Sequence, residues 1–162
     1  MSEFRGHKFG VQAMKFSPNS WYLVSVGYQH DGCIHVWNWR TGQKLASART
    51  TTLITALSFS EDGSFFVTGG TRHLKFWFMD PAKLHGVVPT SSSTHATKPQ
   101  SVPTLEGRFG ALGEHKNSSF SDVAGGRGTE AYHTYGITES GVLVLFGEGH
   151  VMVKWVDLKV FQ

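Results

Sequence analysis

A chain of 162 residues has room for one ordinary domain or for part of a larger one. Its 40% hydrophobic and 13% aromatic content supplies a packed core, and its net charge of +3 comes from fifteen Lys and Arg that form no run, which argues against nucleic-acid binding. The single cysteine, Cys33, excludes an internal disulfide; the N-terminal residues lack a signal peptide's apolar stretch, and no apolar run approaches the ~20 residues of a membrane span. A cytosolic or nuclear setting, with no export and no membrane, is the expectation. The 19 glycines beside runs of Val, Ser, Thr, Phe and Trp predict many short strands joined by tight turns.

In chain order, Val11, Ala13 and Phe16 mark a first strand and Pro18-Asn19-Ser20 a turn. Residues 21–26 and 34–39 read as the second and third strands, and Thr41-Gly42 turns the chain into a fourth at 43–48. The same grammar then returns: a strand at 54–59, the turn Glu61-Asp62-Gly63, and strands at 65–68 and 74–78. No fourth strand is evident there, because Asp80-Pro81 breaks the pattern. Residues 82–104 are rich in Ser, Thr and Pro and predict an exposed, mobile loop. Beyond it, residues 120–124, 134–138, 142–146 and 151–156 read as four more strands, with turns at Glu139-Ser140-Gly141 and Gly147-Glu148-Gly149.

Met14-Lys15-Phe16-Ser17-Pro18 is answered by Leu57-Ser58-Phe59-Ser60-Glu61, at a spacing inside the ~40–45 residues of one WD40 propeller blade. The predicted fold is therefore all-β: a partial WD40 β-propeller of about three four-stranded blades. Residues 1–81 form two blades, 82–104 the loop and 105–162 a degenerate third. Propellers typically close with 4–8 blades, so the arc belongs to a larger ring whose other blades are its expected partners. Val11, Phe16, Trp21, Phe59, Phe66 and Trp155 are expected on the uncovered end faces.

His7, Ser25, Asp31 and Trp37 stand in the order and near the spacing at which WD40 blades build a hydrogen-bonded tetrad. A buried indole N–H needs a hydroxyl acceptor, a His can sit between hydroxyl and carboxylate, and the Asp fixes its tautomer. A hydrolase triad could be drawn from the same Ser, His and Asp. No Gly-x-Ser-x-Gly elbow frames Ser25, so the structural reading stands and no catalytic residue is assigned. In the second blade Thr50 and Thr71 occupy the places of the His and Asp, so a reduced pair, Thr68 with Trp77, is expected, and the first blade should be the better locked.

His30, Asp31 and His35 form the one close group of metal-binding types, but lie on a turn and strand without a His-x-x-x-His helix or Cys pair. No metal and no cofactor are assigned. Gly125-Gly126-Arg127-Gly128 lacks the Gly-Lys-Ser/Thr ending of a phosphate loop and reads as a turn with positive φ values. The five tryptophans sit at strand positions and are assigned to packing. In Trp37-Asn38-Trp39-Arg40, Asn38 replaces the Asp of the Trp-Asp-x-Arg run associated with ubiquitin-ligase adaptors, which leaves substrate receptor or assembly module as the alternative binding role.

Residues 5–14, Gly27-Tyr28-Gln29-His30-Asp31, the stretch from Phe59 to Thr68, and Arg72-His73 before Phe76-Trp77 go beyond a general WD40 pattern. With residues 107–114 and 120–128, they resemble the mitogen-activated-protein-kinase-binding protein family, which includes a microcephaly-linked spindle-pole relative. The resemblance covers nearly the whole chain apart from the Ser/Thr-rich loop. It implies a large non-enzymatic scaffold acting in c-Jun N-terminal kinase signalling or at spindle poles, and a cytoplasmic, centrosomal or spindle-pole location. It also implies that kinase-docking and dimerising segments lie in a C-terminal region outside these residues.

Overall fold

The computed structural model describes residues 3–84 and 101–159. Polar turns cut the apolar alternation into short strands. In the first sheet β1 (Val11–Phe16), β2 (Tyr22–Gly27), β3 (Cys33–Asn38) and β4 (Gln43–Arg49) pair antiparallel in sequence order. The second comprises β5 (Ile54–Phe59), β6 (Phe65–Gly70), β7 (His73–Phe78) and β8 (Glu106–Phe109). The third comprises β9 (Phe120–Gly125), β10 (Thr134–Thr138), β11 (Val142–Phe146) and β12 (Met152–Asp157). Three four-stranded antiparallel meanders are the blades of a partial WD40 propeller.

The repeat extends to the turn chemistry. After β1, Ser17 Oγ donates to Asn19 Oδ1 at 2.7 Å, and that oxygen also accepts the Trp21 N–H. After β5, Ser60 Oγ donates to Asp62 Oδ1 at 2.8 Å, and that oxygen accepts the Ser64 N–H. A side-chain oxygen thus stands in for a backbone acceptor and closes the hairpin. Both first strands also carry a bulge at the same place, at Val11/Ala13 and Ile54/Ala56.

Blade stacking makes two cores. Val24, Val26, Ile34 and Val36 of the first sheet meet Phe66, Trp77 and Ile54 of the second. The second sheet's other face, with Val67, Leu74 and Phe76, meets Phe120, Val144 and Phe146 of the third. The middle blade is buried on both faces, as a sheet inside a stack is. Its first strand β5 also contacts β1 and β9, so the three first strands lie side by side along one edge of the arc.

The fourth strand of the second sheet comes from beyond the long segment: β8 pairs with β7 from Phe78↔Glu106 to Lys75↔Phe109. The expected start of the third blade at residue 105 moves accordingly to Phe120. Asp80-Pro81 does break the strand, and opens a helical turn, α1 (Pro81–Leu84), that buries Leu84. Residues 85–100 of the segment expected as a mobile loop lie outside the described residues. Its two flanks are tied down: Leu84 and Leu105 enter the core between the first two blades, and Ser47 exchanges backbone hydrogen bonds with Pro103 and Leu105 at 2.9 Å.

The end faces divide the expected residues. Val11, Phe16 and Trp21 are 47, 47 and 54% exposed on the outer side of the first blade. Trp155, 44% exposed, instead pairs with Val144 and so lies on the side of β12 turned toward the second blade, against His115, in contrast to the expectation. Phe66 is fully buried and Phe59 packs against the same core, because both lie at the seam of the first and second blades. They belong to an internal seam, in contrast to the expectation.

Candidate functional site

The structure brings His7, Ser25, Asp31 and Trp37 together on the face of the first blade turned away from the second. Ser25 on β2 and Trp37 on β3 project from that face, Asp31 comes from the β2–β3 turn, and His7 from the segment preceding β1. Trp37 Nε1–H donates to Ser25 Oγ at 2.8 Å, and Ser25 Oγ lies 2.7 Å from His7 Nε2. His7 Nδ1 lies 3.0 Å from Asp31 Oδ2; because a carboxylate only accepts, Nδ1 carries the proton and Nε2 accepts from Ser25. The His7 and Asp31 side chains are only 6 and 5% exposed.

Burial holds the His7 pKa below its ordinary value, against the raising effect of Asp31, which keeps the ring neutral as this chain of donation requires. Burial pushes the Asp31 carboxyl up, but backbone N–H groups of Lys8 and Phe9, with His7, outweigh it and the net shift is downward. Asp31 Oδ1 accepts those two N–H groups at 2.9 and 3.3 Å, so the carboxylate also pins the strap 3–9 onto the sheet. Phe4 meets the Trp37 ring edge-on at 5.4 Å, and Gly6 passes so close to the indole that a Cβ would stand 2.5 Å from it. Ser25 thus has its oxygen committed to an indole and its proton to a neutral imidazole beneath this strap. The arrangement locks a strap to a blade.

His35, absent from the expected tetrad, joins from the same face: Nε2 contacts the Gly6 carbonyl and Nδ1 the Ser47 hydroxyl, both at 3.0 Å. Burial is the main cause that pushes its pKa down to about 4. Its neighbourhood with His30 and Asp31 forms no ligand set, and no group of three or more potential metal-binding side chains occurs among the described residues.

The second blade holds more than the expected pair. Trp77 Nε1–H donates to Thr68 Oγ1 at 2.9 Å. His73 then fills the place left by Thr50: its Nε2 lies 2.7 Å from Thr68 Oγ1 and its Nδ1 3.0 Å from Thr52 Oγ1, which in turn lies 3.3 Å from Thr50 Oγ1. The imidazole reaches the shared hydroxyl from within β7 instead of from the strap before the first strand. Sequence alignment to the first blade could not find it, since Cys33 stands at the corresponding strand start. His73 is 3% exposed, and burial, then Lys75, push its pKa down to about 4. Thr71 is exposed and takes no part.

Of the remaining candidates, Trp39 Nε1–H donates to the Ser20 carbonyl at 2.7 Å and packs edge-on against Phe16. In Gly125-Gly126-Arg127-Gly128 only Gly128 has a positive φ, of 59°. Gly125 ends β9, and a Cβ on Gly126 would meet the Glu130 carbonyl oxygen at 1.9 Å, so this run is a tight strand exit.

The far face of the third blade carries Tyr135, Ile137, Leu143 and Leu145, which cross-pair as Tyr135↔Leu145 and Ile137↔Leu143, with Val156 opposite Leu143 and 40% exposed. Nothing among the described residues stacks on it as the third blade stacks on the second.

The family model for WD domain, G-beta repeat, matches residues 1–38 and 42–77. Mitogen-activated protein kinase-binding protein 1 of Mus musculus is 45% identical over 159 residues, covering 98% of this chain and 10% of the relative. WD repeat-containing protein 62 of Mus musculus is 44% identical over 160 residues, covering 99% of this chain and 10% of the relative. The chain thus spans 10% of the length of each. Among solved structures, U3-55K superposes with a TM-score of 0.65 at 17% identity, over 94% of this chain and 41% of that one. The β-propeller domain of Myceliophteria thermophila Cps50 (Swd1) gives 0.68 at 10% identity, over 96 and 44%. At such identities these two establish the fold alone.

Proposed function

The chain is a WD40-repeat protein closely related to mitogen-activated protein kinase-binding protein 1 and WD repeat-containing protein 62, and from that premise we propose that it forms one sector of a protein-interaction platform. The carrying observation is the contrast between faces. The middle blade is buried on both sides, whereas the outer blades present Val11, Phe16, Trp21 and Val156 to solvent. Apolar surface of this kind favours association once a contiguous patch exceeds a few hundred Å². Further blades of the same ring are the natural cover, and the completed ring then displays loops from its two ends to other proteins.

The non-catalytic reading is supported by the use of Ser25, His7 and Asp31 as a structural lock. The finer proposal, which rests on the family, is that the partners belong to kinase signalling, through c-Jun N-terminal kinase, or to spindle-pole organisation, with a cytoplasmic, centrosomal or spindle-pole location. The test is co-purification of purified c-Jun N-terminal kinase with a tagged protein that joins these residues to the C-terminal region the family resemblance implies, beside fluorescence localisation of that protein in dividing cells. Retention of the kinase or enrichment at the poles supports the proposal; failure of both removes the finer assignment and leaves the platform.

A further inference from the structure

Where the first and second blades meet, the chain leaving β4 and the β6–β7 turn enclose a cleft of about 240 Å³. Arg49, Arg72 and Lys75 line it together with Thr50, Thr52 and the exposed ring of Phe109. No carboxylate lines it, and among the described residues none of the three cations makes an ion pair. Lys75 is drawn inward, with its ammonium 4.2 Å from the Trp77 ring and 4.8 Å from that of Phe109. Burial there lowers its pKa. Two aromatic faces offset part of the cost of desolvating a cation, but leave its hydrogen-bond donors open toward the cleft.

The position is fixed from below. Arg72 adopts a positive φ of 47° at the tip of the β6–β7 turn, and its N–H donates to Ser119 Oγ at 3.2 Å, so the third blade braces the turn. The chain Trp77–Thr68–His73–Thr52–Thr50 ends at the cleft wall, so the hydroxyls there are ordered by the blade's own lock. His73, with its pKa near 4, adds no charge at neutral pH, and the cleft's charge is that of the two guanidiniums and the ammonium.

We propose that this cleft is a recognition site for a phosphorylated serine or threonine in an extended segment of a partner protein. A phosphomonoester carries about −1.5 to −2 charge at neutral pH with three strong acceptor oxygens, and Arg pairs with it in a fixed two-pronged geometry. Cations without carboxylate partners, with hydroxyl donors between them, complement that group. The volume lies below the roughly 300–1,000 Å³ of sites for drug-sized ligands, and suits one phosphorylated side chain while the neighbouring peptide runs across Phe109. A nucleic-acid strand would need cations continuing along its backbone, and the Lys and Arg of this chain form no such run. The site rests on the platform reading and adds to it the chemistry of one partner.

Fluorescence polarisation of a labelled peptide, Gly-Ala-Ala-phosphoSer-Ala-Ala-Gly, against the full chain tests the site. The serine form, inorganic phosphate and an oligo-dT strand serve as competitors. The phosphopeptide binds at least tenfold tighter than the serine form. Arg49→Gln/Arg72→Gln, both at exposed positions, loses at least tenfold, as does Lys75→Met, which keeps a stem on Trp77. Arg127→Gln, on the loop after β9, leaves binding unchanged, and unchanged circular dichroism shows that each variant is folded. Equal affinity for the two peptide forms, or full binding by the double variant, overturns the proposal. So does inorganic phosphate competing as well as the phosphopeptide, or oligo-dT displacing it more strongly. Each of those failures leaves the exposed end faces and the ring argument standing, which are tested by association state instead.

Discussion

Thr68→Val isolates the second blade's hydrogen-bonded lock from its packing. Valine has nearly the shape of threonine, so the substitution opens no cavity at a position that is fully buried. What it removes is one hydroxyl serving two partners, the Trp77 N–H at 2.9 Å and His73 Nε2 at 2.7 Å. Trp77 is 2% exposed and His73 3%, so water cannot replace the lost hydroxyl. Leaving a buried polar group unpaired costs about 1–3 kcal/mol, so two such groups, with some relaxation, give about 2–4 kcal/mol. With a urea m-value of about 2 kcal/mol/M, the midpoint falls by about 1–2 M. Thr68→Ser, which keeps the hydroxyl and deletes one methyl, costs only about 1 kcal/mol. In a Trp77→Phe background one of the orphaned groups no longer exists, and the cost of Thr68→Val drops by about half. Urea unfolding at fixed protein concentration reads the parent and the four variants. A Thr68→Val midpoint within 0.2 M of the parent, on the roughly 2 kcal/mol/M slope above, refutes the lock.

The first blade gives a comparison: Asp31→Ala, which strips a partner from His7 and from the Lys8 and Phe9 N–H groups, lowers the unfolding midpoint more than Thr71→Ala, whose side chain is exposed. Equal shifts in the two variants contradict the tetrad. Because His73 is held near pKa 4 when folded and returns to about 6.5 when unfolded, the unfolded state binds the extra proton in between. Stability therefore falls as pH drops from about 6.5 to about 4; His73→Gln shows a shallower fall in midpoint across that window, with His35 still contributing, and an unchanged slope goes against the assignment. Gly70→Ala places a Cβ 2.0 Å from the Leu53 carbonyl oxygen where β6 pairs with the start of β5 inside the second blade and costs about 3 kcal/mol by thermal unfolding, whereas a cost below about 1 kcal/mol means that the two strands can part there.

The repeated turn chemistry, the period of the Phe16 and Phe59 motifs and the order of strands were legible because each is local: a serine and an Asx close each hairpin over a few residues, with Ser20 in one and Gly63 in the other at the left-handed position. His7, Ser25, Asp31 and Trp37 could be picked out by residue type and spacing within the first blade alone, since Thr50 and Thr71 stand at the His and Asp places of the second. The fourth strand of the second blade was not, because β8 follows its partner β7 only after a long segment and carries the short, weakly patterned run Glu106–Phe109. His73 was missed for a related reason. A hydroxyl at Thr68 constrains where an imidazole must stand in space, but not from which side of the strand order it arrives. Phe59 and Phe66 were placed on the wrong side of a blade because a strand buried on both faces leaves no alternation to read.

The central claim is that these residues form three blades of a larger ring, with end faces that must be covered. Sedimentation velocity of the isolated 162-residue chain over a hundredfold dilution series, with hydrogen exchange on the same samples, tests it most directly. The account predicts concentration-dependent association, with slow exchange in β6 and β7 and fast exchange in β1 and β12 at low concentration. A compact monomer, unchanged on dilution and uniformly protected through β1 and β12, would contradict it.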